Sequence, residues 1–481
     1  MIFSEYAAQA GRDKTGPKSR HNLPPEGPEM KKVCLLFVAA ALLLGTLTGC
    51  FRTVDELFTL PKLPEEYQNL QEKIEEVTTG TGAEYAAPIM GANNQPVQLQ
   101  DLDGDGTMEA LAFFRVSTAN DDKPLKIYIF RLTDDGYELG TVIEGEGSAI
   151  NSISYEDLSG APGKELVVSW LVSGNAYVLS VYSIERYQAT EMLHTGYTSF
   201  ELQDLDMDNR KEIAVVRLDT IEGKSRVEFY DAEENDLVLR SSPMLSQGVT
   251  GIVTDGVQTG YLRGDEAGNT TAPGLFITSY QGEGVVTDIF AWRNGNLENI
   301  TLESSEAGSG VGVSNSTRRS KDDAMPTDIN DDNFLEIPMP VPLISSGGAT
   351  TAETLYTWVQ YDLNGAGTPV FTTYHNFDDG WYFILPDWWE NKITVSQYST
   401  IGEKATAFSL WTGEGEEPKN FLTIYKLTGP NRYTRSRMGE RFTLTADENT
   451  IYSAELKTDA WDCGLDEAGV QELFKQSTTD W

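Results

Sequence analysis

Asp101-Leu102-Asp103-Gly104-Asp105-Gly106-Thr107-Met108-Glu109 runs straight into the apolar stretch 110–113, and the chain repeats the pattern twice. Asp204-Leu205-Asp206-Met207-Asp208-Asn209-Arg210-Lys211-Glu212 leads into 213–216. Asp328-Ile329-Asn330-Asp331-Asp332-Asn333-Phe334-Leu335-Glu336 leads into 337–341. Carboxylates this dense on a short loop repel one another unless a hard cation sits among them, and oxygen ligands at alternating positions are what calcium takes. Position 6, where such a loop must turn sharply, is Gly106, Asn209 or Asn333, the residue types that best tolerate positive φ.

Around these loops the chain reads as strand and turn. Stretches 97–102, 110–116 and 125–132 are strand-like, and the turn Thr133-Asp134-Asp135-Gly136 joins the last of them to 137–143. The order returns with the loop 157–165 followed by 166–172, 177–184 and 189–193, then with 204–212 followed by 213–218, 226–230 and 237–240. Loops starting at 101, 157 and 204 are spaced 56 and 47 residues apart. A period near 45 with four strands per unit is a signature of propeller blades. Stretches 250–261, 274–280 and 285–300 read as a blade without its Asp loop. The β-rich remainder carries strands at 355–361, 369–374, 381–385, 421–427 and 451–456 and a short helix at 465–474. Upstream, Tyr67, Leu70, Ile74 and Val77 fall at helical spacing and predict a short amphipathic helix ending at Thr78-Thr79-Gly80.

A glutamate at position 9 rather than 12 separates these loops from the helix-flanked calcium hand. They resemble the calcium loops of FG-GAP and VCBS repeats, as found in integrin-type β-propellers. The resemblance implies two or three structural calcium ions. It implies as ligands Asp101, Asp103, Asp105 and Glu109; Asp204, Asp206, Asp208 and Glu212; Asp328, Asn330, Asp332 and Glu336. The acid at position 9 either ligates or hydrogen-bonds the loop. The expected fold is mainly β: a β-propeller of four-stranded blades with Asp-rich calcium loops, a short N-terminal helix and a short C-terminal helix. The loop at Asp157 departs from the pattern, with Ser159 and Ala161 at positions 3 and 5. It is expected to keep the turn without the ion, and Ser159→Ala to alter neither ion binding nor stability. Pro338, Pro340 and Pro342 strip one edge of the strand after the third loop of its donors, so that strand should pair on one side only, through Met339 and Val341.

Location is legible near the start. Met30-Lys31-Lys32, the apolar segment 33–47 and Thr48-Gly49-Cys50 have the layout of a secretory signal peptide, too short to span a bilayer. Leu47-Thr48-Gly49-Cys50 resembles a bacterial lipoprotein box, which implies cleavage before Cys50 and a diacylglycerol, palmitate-type anchor on its sulfur. Residues 1–49 are thus an upstream extension and signal peptide, and 50–82 the anchor, tether and helix. Residues 83–345 are the propeller blades, and 346–481 a β-rich region that completes them. Cys34 leaves with the signal and Cys463 reads as a packing residue, so the mature chain has no intrachain disulfide. The formal net charge of -38 argues against nucleic acid and against electrostatic docking on anionic lipid.

Catalytic signals are sparse. His194 and His375 form no spaced zinc pair and read as surface or packing residues, and there is no Gly-x-Ser-x-Gly elbow. Gly308-Ser309-Gly310-Val311-Gly312 lacks the lysine and helix of a phosphate cradle. In Trp381-Tyr382-Phe383 and Trp388-Trp389 the aromatics read mainly as core, with Trp388 and Trp389 the exposed candidates for stacking on sugar rings. The expectation is a non-enzymatic, membrane-anchored, extracytoplasmic calcium-binding propeller that presents loops to a protein or glycan ligand. The rivals are a cell-envelope hydrolase and a structural accessory of an envelope complex.

Overall fold

The computed structural model describes residues 65–116, 122–233, 236–264, 271–303, 312–343, 353–413 and 416–477. The signal segment, Cys34, Cys50 and the glycine-rich piece at 308–311 lie outside the described residues. The chain divides into Met1–Glu65 and Glu66–Trp481, and the second unit carries the sheets.

The described residues are mainly β, in six antiparallel sheets of four or five strands taken up in chain order. After helix α1 (Glu65–Thr81), sheet 1 holds β1 (Glu84–Tyr85) and β2 (Val97–Gln100) in tandem along β3 (Glu109–Arg115), then β4 (Leu125–Thr133) and β5 (Gly136–Gly145). Sheet 2 is β6 (Ala149–Glu156), β7 (Glu165–Ser173), β8 (Ala176–Glu185) and β9 (Gln188–Tyr197). Sheet 3 is β10 (Ser199–Gln203), β11 (Glu212–Arg217), β12 (Arg226–Glu233) and β13 (Asp236–Ser241). Sheet 4 is β14 (Val249–Leu262), β15 (Ala272–Gln281), β16 (Gly284–Arg293) and β17 (Asn296–Asn299), with β18 (Arg318–Ser320) also on β16. Sheet 5 has β19 (Ile337–Pro342), β20 (Thr354–Tyr361), β21 (Gly367–Asn376) and β22 (Trp381–Leu385). Sheet 6 has β23 (Ile393–Thr400), β24 (Glu403–Leu410), β25 (Lys419–Thr428), β26 (Phe442–Ala446) and β27 (Thr450–Leu456), with the one-turn helix α2 (Arg432–Arg435) between β25 and β26. The chain then forms α3 (Glu467–Leu473) and returns to sheet 5, where β28 (Phe474–Gln476) pairs with β22.

Side-chain alternation explains why each sheet needs two neighbours. Leu111 and Phe113 of β3 pack with Ile150, Leu166 and Trp170 of sheet 2. Ala110, Ala112 and Phe114, on the opposite face, pack under Leu70 and Ile74 of α1. Similar apolar clusters join sheets 2 and 3, 3 and 4, 4 and 5, and 5 and 6. Among the described residues no apolar cluster joins sheet 1 to sheet 6; α1 covers the face of sheet 1 that would otherwise lie bare. Burying Leu70 and Ile74 stabilises this cover by about 1.5–3 kcal/mol each.

Three expectations change. The helix is part of the core of sheet 1, so the boundary at 82/83 dissolves. The boundary at 345/346 falls inside sheet 5, because β19 pairs with β20. The single stretch 285–300 is a hairpin, turned at Asn294-Gly295, whose φ values of 52° and 79° suit the tight turn that twisted strands prefer. The proline reading agrees with the structure: among the described residues β19 is an edge strand that pairs only with β20, Met339 opposite Thr357 and Val341 opposite Leu355. Ahead of this third loop the lead-in strand is reduced to an isolated bridge, Thr327 to Glu336.

Candidate metal loops

The first aspartate of each loop organises its backbone. Asp101 accepts the N–H groups of Gly104 at 2.9 Å and Gly106 at 3.0 Å. Asp204 accepts those of Asp208 at 3.1 Å and Asn209 at 3.0 Å, and Asp328 those of Asp332 at 3.0 Å and Asn333 at 2.8 Å. Curling the chain around one carboxylate forces two left-handed residues per loop. Position 6 is left-handed as expected, with φ of 87°, 71° and 70° at Gly106, Asn209 and Asn333. Position 4 is left-handed too, at Gly104, Met207 and Asp331, with φ of 72°, 64° and 60°.

The position 9 glutamate begins the following strand at Glu109 and Glu212, or directly precedes it at Glu336, and turns back under the loop. One oxygen accepts the position 2 N–H: Leu102 to Glu109 and Leu205 to Glu212 at 2.8 Å, and Ile329 to Glu336 at 3.2 Å. The other oxygen meets different surroundings in each loop. Oε1 of Glu109 and of Glu212 is buried and has no partner among the described residues, although each residue is only 1 % exposed. In the third loop the Gln360 amide fills this place, donating to Glu336 Oε1 at 2.6 Å and to Asp332 Oδ2 at 3.0 Å. In the loop at 157, Leu158 N–H keeps its 2.8 Å bond to Glu165 and the Ser159 hydroxyl donates to Glu165 Oε1.

Carboxylate oxygens of Asp204, Asp206, Asp208 and Glu212 lie within 4.8 Å of one another, as do those of Asp101, Asp103 and Glu109, and those of Asp328, Asp332 and Glu336. That span is about twice a calcium–oxygen bond, so one ion can touch every member of a set. Asp105, an expected ligand, stands outside the first set; its Oδ1 accepts the Thr107 N–H at 2.7 Å. Asn330 Oδ1 accepts the Asp332 N–H at 3.3 Å, and its amide donates to Asp332 Oδ2 at 2.9 Å. Burial, aided by the neighbouring acids, pushes Glu109 up to about 7 and Glu212 up to about 8 against the opposing N–H bonds. Burial likewise raises Glu336 to about 7. Buried acids that resist ionisation need either a proton or a cation.

Residues outside the acidic pattern shape these loops. Arg210 donates through Nε at 3.0 Å and through Nη2 to Asp208 Oδ2, and through Nη1 at 3.3 Å to the Ser159 carbonyl. Burial raises Asp208, but the Arg210 bonds outweigh it and leave that carboxyl below its ordinary range. Tyr187, at φ 64° in the β8–β9 turn, has the Arg131 guanidinium 5.1 Å from its ring centroid. Burial and the charges of Asp103, Asp105 and Glu109 raise its phenol. Successive loops are stitched together. Lys164 N–H donates to Leu102 O at 3.0 Å and Lys211 N–H to Asp157 O at 3.4 Å, while Lys211 Nζ bonds Glu156 at 2.8 Å. A Cβ on Gly104 would stand 1.9 Å from the Pro162 carbonyl oxygen, so glycine is required there by space as well as by φ.

Elsewhere, Ser180 Oγ lies 3.0 Å from His194 Nδ1, and Glu191 Oε1 3.1 Å from the same nitrogen. The grouping has the residues of a nucleophilic triad, but Ser180 is fully buried and accepts the Trp170 indole N–H, so no substrate reaches it. His375 packs face to face on Tyr382 at 5.0 Å, and Cys463 is buried and unpaired. Trp381, Phe383 and, against expectation, Trp389 belong to the core; only Trp388 is exposed. Both indole N–H groups donate to the Cys463 carbonyl, and the second draws Trp389 inward onto Phe421.

No family model and no curated protein sequence matches the chain. Among solved structures, the crystal structure of the Saccharomyces cerevisiae Sqt1 aligns with 68% of this chain and 91% of that one, at 10% identity and a TM-score of 0.26. A likeness that weak carries no argument.

Proposed function

We propose that the chain is a calcium-stapled β-propeller of FG-GAP/VCBS type, held outside the cytoplasm by a lipid on Cys50 and acting as a scaffold for a protein or glycan ligand. The observation that carries the calcium part is the second oxygen of the position 9 glutamate. In two of the three loops that keep their acids, at Glu109 and Glu212, that oxygen is buried without a partner among the described residues, and in the third the Gln360 amide meets it. Where the loop has lost them, at Glu165, a serine hydroxyl stands in for the ion. Consecutive sheets of four or five strands packed face to face, with Asp loops leading into the following strand of sheets 1 and 3, support the propeller reading.

Calcium here is a fastener rather than a reagent. It neutralises the acids and frees the loop to hold two adjoining strands at a fixed angle. Function then falls to the surfaces between loops, as in binding scaffolds generally. Calorimetric titration of the chelated mature protein tests the ion: heat of binding together with a calcium-dependent rise in melting temperature is expected, and the absence of both sinks the reading. Capture of a specific partner from intact cells by the wild type, lost when the loops are emptied, tests the scaffold role. Turnover of a glycan or peptide library by the purified protein would overturn it.

A further inference from the structure

We infer that Arg210 is a built-in competitor for the ion at the second Asp loop, and that it makes this the weaker of the two sites whose glutamate oxygen lacks a partner. The inference rests on the calcium reading above and adds to it a residue that sets affinity.

Four acids converge at this site, Asp204, Asp206, Asp208 and Glu212, against three at the first loop. Counting ligands alone would make it the tighter one. The guanidinium reverses the order. Its Nε and Nη2 both rest on Asp208 Oδ2, an oxygen of the ligand set's own carboxylate, while Nη1 reaches across to the Ser159 carbonyl in the loop of the preceding sheet. One positive charge therefore already sits on the site, braced from outside it. A divalent ion must share Asp208 with that charge or displace it. Placed on the same carboxylate, the two cations repel through a partly screened medium, which weakens binding roughly tenfold. The first loop has Thr107 at the corresponding position, and no bond from a basic side chain to its acids is seen among the described residues. The two loops should therefore fill in sequence, the first at lower calcium, the second at higher.

The test is calcium titration by calorimetry of the full mature chain, wild type and Arg210→Met, each also in a Glu109→Gln background that silences the first loop. Arg210→Lys serves as a second variant that keeps the charge and loses the fork. In the silenced background we expect Arg210→Met to bind calcium about tenfold more tightly and Arg210→Lys to fall between it and wild type. Weaker or unchanged binding in Arg210→Met, with a lower melting temperature in chelator, would mean that Arg210 only braces the two loops, and would overturn the inference. Absence of calcium binding by every protein, wild type included, would instead overturn the calcium reading itself.

Discussion

Replacing Glu109 by glutamine should abolish the effect of calcium on stability at the first loop. Glu109 is 1 % exposed and its carboxyl is raised from 4.5 to about 7 in the folded chain. A group raised on folding contributes stability that is fully present below its unfolded value and is lost as pH rises through the folded one. Each tenfold change in a protonation equilibrium is worth about 1.4 kcal/mol, so cation-free protein should lose roughly 3 kcal/mol at this residue alone as pH climbs from about 4.5 to about 8. Glutamine cannot ionise, and its carbonyl oxygen can still accept the Leu102 N–H. In chelator, Glu109→Gln should match the wild type within about 1 kcal/mol at pH 5. At pH 8 it should exceed the wild type by about 2–3 kcal/mol. With calcium at about a thousand times its dissociation constant, the wild type regains about 4.1 kcal/mol from this site and the variant nothing, so the order flips. Denaturant midpoints at both pH values, with and without calcium, measure this. Glu212 and Glu336 titrate equally in both proteins and cancel from the difference. Failure of the variant to overtake the wild type in chelator at pH 8 would refute the reasoning, as would equal stabilisation of both by calcium.

Ser159→Ala should lower stability by about 1–3 kcal/mol, because it leaves a buried carboxylate oxygen unpaired, and calcium should not restore the loss. Equal melting temperatures of variant and wild type would count against the stand-in role of the hydroxyl. Met207→Gly relieves a left-handed backbone at a residue with a Cβ, and should raise stability by about 0.5–1 kcal/mol in chelator without weakening calcium binding; thermal melts decide the first part and calorimetry the second. Ile74→Ala should cost about 2–5 kcal/mol by opening a cavity between α1 and sheet 1, with hydrogen exchange rising first in β3.

The parts of the fold visible in the sequence are those written in side-chain chemistry. Alternating acids, glycine or asparagine at position 6 and alternate prolines each state a backbone requirement directly, and the structure meets each one. What stays hidden lies where packing or geometry overrides the pattern. Position 4 reads as a turn residue at Gly104 and Gly160, but Met207 and Asp331 mask the same left-handed conformation. Strand β6 is concealed because a bulge between Ile150 and Ser152 turns Ile150 and Ile153 to one face, three residues apart, which breaks the period of two. Ser159 looks inert in the sequence because its role depends on Glu165, six residues away. Asp362-Leu363-Asn364-Gly365-Ala366-Gly367 has the look of an ordinary turn. Its aspartate accepts the N–H groups of Asn364 and Ala366 at 2.8 and 2.9 Å, and Gly365 is left-handed, which closes the β20–β21 hairpin with the same carboxylate-to-backbone device on a shorter turn.

The return of β28 to sheet 5 sets an order of events in folding. Trp381 stands opposite Gln476 and Phe383 opposite Phe474, about ninety residues away along the chain, with all of sheet 6 in between. Sheets 1 to 4 are built from strands close in sequence and can form as soon as those strands have been made. Sheet 5 cannot finish until sheet 6 has been made and the last strand has travelled back over it. Contacts that close so long a loop form slowly, and until they do the edge of β22 stays open. The late-closing seam is thus the stretch most open to proteases and to mispairing with another chain during folding. Loss of a few residues around Phe474 would leave it permanently unsealed.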